Sequence, residues 1–181
     1  CLNRYYVAEG VRIYSQETWK LVFGDAGREL VCKNAGPICR YYIAQSQADN
    51  HAVREAACHC IAELCTKVAQ EVDKEPFKPH VGPMLAALVD CFKDASWPVR
   101  DCACLACGHF VSTFPEESKE LYPELRKLWI DHLSDNIQSL RENTALSIAQ
   151  VLKSEFSEDM KEAVYAFITE NLMKAKEQKA D

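Results

Sequence analysis

The chain has 181 residues, 48% of them hydrophobic, enough for a buried core and too apolar for a disordered polypeptide. Its formal charge of −6 and pI near 5.4 argue against general nucleic-acid binding, which needs a basic surface, so no direct nucleic-acid partner is expected. The acid is uneven: residues 1–57 hold seven Lys/Arg against six Asp/Glu, which leaves 14 against 21 for residues 58–181.

Residues 1–9, with Leu2, Tyr5, Tyr6 and Ala8, read as the tail of a helix that Gly10 interrupts, and a chain that starts in this way is expected to be a fragment of a longer array. From Val11 onward Tyr14, Trp19, Val22 and Phe23 fall on one helical stripe, and Gly24-Asp25-Ala26-Gly27 supplies a turn. A helix is expected over 28–46, kinked or split at Gly36-Pro37, because proline removes a backbone donor and clashes with the preceding turn. Asp49-Asn50 offers an N-cap for a long helix over 50–72, which Asp73-Lys74-Glu75-Pro76 breaks.

The next helix, 79–93, carries Val81, Leu85, Leu88, Val89 and Phe92 on one face, with Pro79 and Pro83 expected in or before its first turn. Asp94-Ala95-Ser96-Trp97-Pro98 is a tight turn into a helix over 97–114, which ends at Phe114-Pro115. A helix opening near Pro123 buries Leu125, Leu128, Trp129 and Leu133; after Asp135-Asn136 another runs over 137–154, marked by Ile137, Leu140, Ile148, Val151 and Leu152. Ser157 is placed to cap a last helix bearing Met160, Val164, Phe167, Ile168 and Leu172, and residues 174–181, polar throughout, are expected to fray. No segment shows strand alternation and no Asn-Gly or Asp-Gly hairpin signal occurs, so the class is all-α.

Two of these helices share one template. Counted from Val53, the positions 0, 3, 4, 7, 8, 11, 12 and 15 are Val53, Ala56, Ala57, Cys60, Ile61, Leu64, Cys65 and Val68; counted from Val99 they are Val99, Cys102, Ala103, Ala106, Cys107, Phe110, Val111 and Phe114. All are apolar, the pattern of a broad buried stripe. Their heads, Val53-Arg54-Glu55 and Val99-Arg100-Asp101, match Leu140-Arg141-Glu142, and Val11-Arg12 lies one step upstream. The starts are spaced by 42, 46 and 41 residues, close to the period of stacked helix-pair repeats.

The pattern Val-Arg-acid-x-Ala after an Asp-containing turn, carried by residues 49–57, 94–103 and 135–145, resembles the second helix of a HEAT repeat. The resemblance implies a right-handed α-α superhelix, a HEAT/ARM-like solenoid of about four helix pairs spanning residues 1–181 as one segment. The second helices would lie near 11–24, 50–72, 97–114 and 137–154. Two copies depart from the pattern, the first with Ser15 and Thr18 on its stripe and the last with Asn143, Thr144 and Ser147.

The chemistry-bearing residues favour packing over reaction. Cys102, Cys104, Cys107 and His109, with Cys58-His59-Cys60 beside them, are of zinc-ligand type. At about 100° per residue, however, Cys102 and Cys104 point roughly 200° apart, so one helix cannot aim all four groups at one ion. The metal assignment is therefore none, with a site shared between adjacent helices as the alternative. No motif sets an activated thiol near a base, no Gly-rich phosphate loop or Gly-x-Ser-x-Gly elbow occurs, and no histidine precedes a glutamate, so no enzyme activity and no cofactor are expected. Cysteines on a buried stripe point to a reducing compartment, cytoplasm or nucleus, and no run is long and apolar enough to span a membrane.

Arg12, Arg54, Arg100 and Arg141 recur one place after each start and are assigned to repeat stacking through Asp49, Asp94 and Asp135, with an exposed basic ladder as the alternative. Trp97 is either a packing residue of its turn or an exposed anchor, and Glu116, Glu117, Glu120 and Glu124 either a solvated helix start or a surface for a basic peptide. The function implied is a non-catalytic protein–protein interaction scaffold or adaptor for another protein or peptide segment. The alternatives are a cargo-binding nuclear transport receptor fragment and a tubulin-binding TOG-like module.

Overall fold

The computed structural model describes residues 2–6 and 8–177, and among these it holds no strand. After a short 3-10 turn at Leu2–Tyr5 come α1 (Glu9–Phe23), α2 (Gly27–Lys33) and α3 (Ala35–Gln45). Then follow α4 (His51–Glu63), α5 (Lys78–Phe92), α6 (Trp97–Thr113), the single turn α7 (Pro115–Ser118), α8 (Tyr122–His132), α9 (Gln138–Val151) and α10 (Ser157–Glu177).

The architecture is an all-α stack of helix pairs, an arrangement compatible with HEAT repeats. Helix α6 is its centre: it lies between α4 and α9 and pairs with α5, while α3 backs α4 and α5, and α8 and α10 back α9. One hydrophobic cluster runs through the row, and the template positions from Ala56 to Val68 and from Val99 to Phe114 are buried or packed against it. The breaks follow local chemistry. Asn50 Oδ1 accepts the Ala52 N–H at 2.9 Å and caps α4. Asp94 Oδ1 and Asp135 Oδ1 accept the N–H two residues on, Ser96 and Ile137, each at 2.8 Å, and so set the turns before α6 and α9.

Several expectations are corrected. The first copy forms a helix where its periodicity places one, but α1 buries no residue. The face of α4 that it was to cover is occupied instead by the turn Leu2–Tyr5, and Ser15 and Thr18 leave the stripe of α1 too polar to compete. The split near Gly36-Pro37 falls at Asn34, two residues early. Pro83 sits inside α5 rather than in its first turn; it and Pro79, whose carbonyl loses the bond, are both exposed, on the solvent side of the helix. The long second helix continues past Glu63 as a π-helical segment, Leu64–Ala69, where Gln70 N bonds Cys65 O, five residues back. Helix α10 runs on through Glu177 rather than fraying at 174, and residues 178–181 lie outside the described part.

Candidate functional site at the seam of α4 and α6

The recurring arginines act on turns. Arg54 reaches across to the next repeat, with Nε 2.6 Å from Asp94 Oδ2 and Nη2 2.9 Å from Asp94 Oδ1, a bidentate pair. Its Nη1 donates back to the carbonyls of Ala48 and Asp49, both at 2.8 Å. Arg100 and Arg141 keep only the backbone half of this arrangement: Arg100 Nη1 donates to Asp94 O and Ala95 O, and Arg141 Nη1 to Asp135 O and Asn136 O. Among the described residues Asp49 thus contributes its carbonyl and not its carboxylate, and the Asp135 carboxylate meets no arginine guanidinium. Arg12 enters no ion pair among the described residues.

The cysteines divide into two kinds. Burial pushes Cys39, Cys60 and Cys65 up to about 12 and Cys104 to about 11, so these stay thiols and pack. Cys104 faces α9, with Sγ 3.5 Å from Thr144 Oγ1 and 3.6 Å from Ser147 Oγ, and Cys107 is fully buried. The four-residue cluster read on α6 therefore does not converge. Cys102 goes the other way, toward α4, and its Sγ lies 2.8 Å from His59 Nε2.

Around this contact the seam gathers charge. Glu55 stands one turn before His59 on the same face of α4, and donor atoms of Glu55, His59 and Cys102 all lie within 4.8 Å of one another. Asp101, beside Cys102, has a buried Oδ1 without a hydrogen-bond partner among the described residues. Neither Glu55 nor Asp101 enters an ion pair among them. The Tyr5 ring stacks on the His59 imidazole with centroids 5.2 Å apart and planes 17° apart. Burial holds the His59 pKa below its ordinary value against the pull of Glu55 and Asp101, and burial with the same two carboxylates holds the Cys102 thiol well above its own. The proton therefore stays on sulfur, and the pair is not an activated nucleophile.

Glu55 and Asp101 are not among the candidates read from the sequence, whereas Cys102 and His59 are, with a site shared between adjacent helices as the alternative to packing. The partners are 43 residues apart on neighbouring helices, so no local motif joins them. The repeat template holds the signal: Glu55 and His59 sit at positions 2 and 6 of one copy, Asp101 and Cys102 at 2 and 3 of the next.

Trp97, at the start of α6, is 47% exposed. The acidic cluster is interleaved with lysines: Glu116 pairs with Lys119 at 2.7 Å and Glu124 with Lys93, so it is not a bare acidic face. A cavity of about 200 Å³ lined by Arg4, Trp19, Arg28, Tyr42, Glu63 and Lys67 has its charges matched internally, since Arg4 and Lys67 share Glu63 and Arg28 pairs with Glu71.

The family model for the HEAT repeat matches residues 84–114, from the middle of α5 through α6. This hairpin is similar to a HEAT repeat, and the all-α stack built around it is compatible with that arrangement. No curated protein and no solved structure matches the chain.

Proposed function

We propose that the chain is a non-catalytic interaction scaffold that binds another protein or a peptide segment through exposed helix faces. HEAT repeats commonly mediate protein–protein contacts, and stacked helices offer a long surface rather than a pocket of convergent polar groups. The observation that carries the reading is the surface of α1. Val11, Tyr14, Leu21 and Val22 fall within one arc of about 100°, and Tyr14 and Leu21 are 72% and 87% exposed. Apolar side chains clustered in this way mark an interaction surface.

The alternatives draw less support. A receptor for basic cargo needs an acidic face, and part of that acid is paired with Lys93 and Lys119. A tubulin binder needs basic turns beside Trp97, and Arg100 is turned inward onto the carbonyls of Asp94 and Ala95. The nine described cysteines are free thiols, which fits a reducing compartment, cytoplasm or nucleus.

The test is an affinity pull-down with the immobilised chain. Partners held by the wild type should be lost with Tyr14→Asp/Leu21→Asp at unchanged helicity, and retained with Trp97→Ala and with Glu116→Lys/Glu120→Lys. Loss confined to the glutamate reversals would shift the reading to the transport receptor. Tubulin lost solely with Trp97→Ala would shift it to the TOG-like module.

A further inference from the structure

We propose that Glu55, His59 and Cys102 form a zinc-binding site that bridges α4 and α6. The donor set is a carboxylate oxygen, an imidazole nitrogen and a thiolate sulfur, and zinc accepts all three at about 2.0–2.3 Å. Tetrahedral bonds of those lengths put neighbouring ligand atoms about 3.3–3.6 Å apart. The three donor atoms already lie within 4.8 Å of one another on two helices whose backbones are fixed by the core. Rotamer adjustment closes the remainder: Cys102 Sγ and His59 Nε2, now 2.8 Å apart, open to admit the ion, and the Glu55 carboxylate swings in.

Three features mark this place as more than a packing contact. Two carboxylates, Glu55 and Asp101, face it without an ion pair among the described residues, and Asp101 Oδ1 is buried with no hydrogen-bond partner there. A buried acceptor and unmatched negative charge fit a cation. The imidazole is held in one plane by the stacked Tyr5 ring, which leaves Nε2 aimed at Cys102. The next seam, built on the same template, lacks the set: the places of Glu55, His59 and Cys102 are taken there by Asp101, Leu105 and Asn143.

Three protein ligands leave the fourth position of a tetrahedral ion to water, and Asp101 is the outer carboxylate beside the ligand sphere. On binding, the Cys102 thiol gives its proton to solvent as the sulfur–zinc bond forms, and no redox change occurs. The ion would tie the α4 copy of the template to the α6 copy at the partly buried edge of the shared apolar core.

The experiment uses the full chain, purified under reducing conditions, stripped with chelator and titrated with Co²⁺, then with Zn²⁺. One equivalent of Co²⁺ should produce a sulfur-to-cobalt charge-transfer band and the visible bands of tetrahedral cobalt, both removed when Zn²⁺ displaces it. Cys102→Ser should abolish the charge-transfer band. Asp101→Asn should weaken zinc about 10–100-fold, as expected for an outer-shell partner, and Glu55→Gln, a partly exposed change that spares the core, by more than that. Cys32→Ser, far from the site, should alter nothing. Wild type that shows no saturable binding near one equivalent would overturn the proposal, and so would a charge-transfer band that survives Cys102→Ser.

Discussion

Helix α6 makes two seams on one template and closes them by different means. Against α4 the apolar stripes meet side by side, with Cys65 Sγ bonded to His109 O at 3.5 Å and the polar Glu55, His59 and Cys102 at the edge. Against α9 the polarity is inside: Thr144 and Ser147 are fully buried at stripe positions. They are satisfied there, because Ser147 Oγ lies 3.0 Å from Cys104 O and 2.9 Å from Asn143 O, and Thr144 Oγ1 meets the Cys104 thiol. Close approach makes this possible, since a Cβ on Gly108 would lie 2.9 Å from Ser147 Cβ and 3.0 Å from its Cα. A polar residue on a stripe therefore does not make a repeat weak, provided the facing helix supplies an acceptor at short range.

The largest expected effect would fall on both seams together. Ile61 on α4 and Cys107 on α6 are fully buried in the one cluster, and Ile61→Asp or Cys107→Asp would bury a charge with no partner. Each should cost roughly 4 kcal/mol or more and abolish cooperative thermal unfolding followed by far-ultraviolet circular dichroism. Stability within about 1 kcal/mol of wild type would mean that the seams do not share a core.

A middle-sized effect separates the seams. Gly108→Ala should destabilise by about 1–3 kcal/mol through overpacking against the α9 backbone, although alanine is intrinsically the better helix former by about 1 kcal/mol. Ala62 holds the equivalent template place on α4, and Ala62→Gly should cost about 1 kcal/mol from propensity, with the loss of its partial packing against the core added. Urea midpoints measure both. A stabilised Gly108→Ala would show that α6 and α9 do not need their close approach.

The reach of the sequence follows from what periodicity can report. It marked helices where α4, α6 and α9 lie, because each follows an Asp or Asn turn and the first two carry a full apolar stripe, and residues 84–114, one such hairpin, are where the family model matches. It could not report what covers a stripe, so α1 was expected to be buried and stands exposed. Nor could a one-helix argument find His59 beside Cys102, since the angular test that excluded four ligands on α6 says nothing about a ligand pair on α4. The buried Thr144 and Ser147 read as degeneracy because their partner, Cys104, belongs to another copy.

The smallest effect concerns the arginine that spans repeats on the α4 side and has no counterpart on the α9 side. Asp94 is held below the usual carboxylate pKa first by its bonds to Arg54, whereas Arg100, the equivalent of Arg54, makes no ion pair to Asp135 among the described residues. Because the folded pKa of Asp94 is depressed, its contribution is fully present above the unfolded value of about 3.9 and is lost as pH falls through the folded value. Asp94→Asn keeps an acceptor for the Ser96 N–H but removes the charge, so it should cost about 1–2 kcal/mol at neutral pH for a hydrogen bond to a charged group at a partly exposed site. That difference should narrow as the pH falls below the unfolded value and close only once it has passed the depressed folded value, where the wild-type Asp94 carboxyl is itself neutral. Asp135→Asn, which likewise preserves the turn bond to Ile137, should show neither the cost nor the pH-dependent closing. Parallel urea titrations of the three proteins from pH 7 to pH 3 measure this, and equal pH dependence in the two variants would mean that Arg54 and Asp94 add nothing to stacking beyond what Arg100 achieves through carbonyls alone.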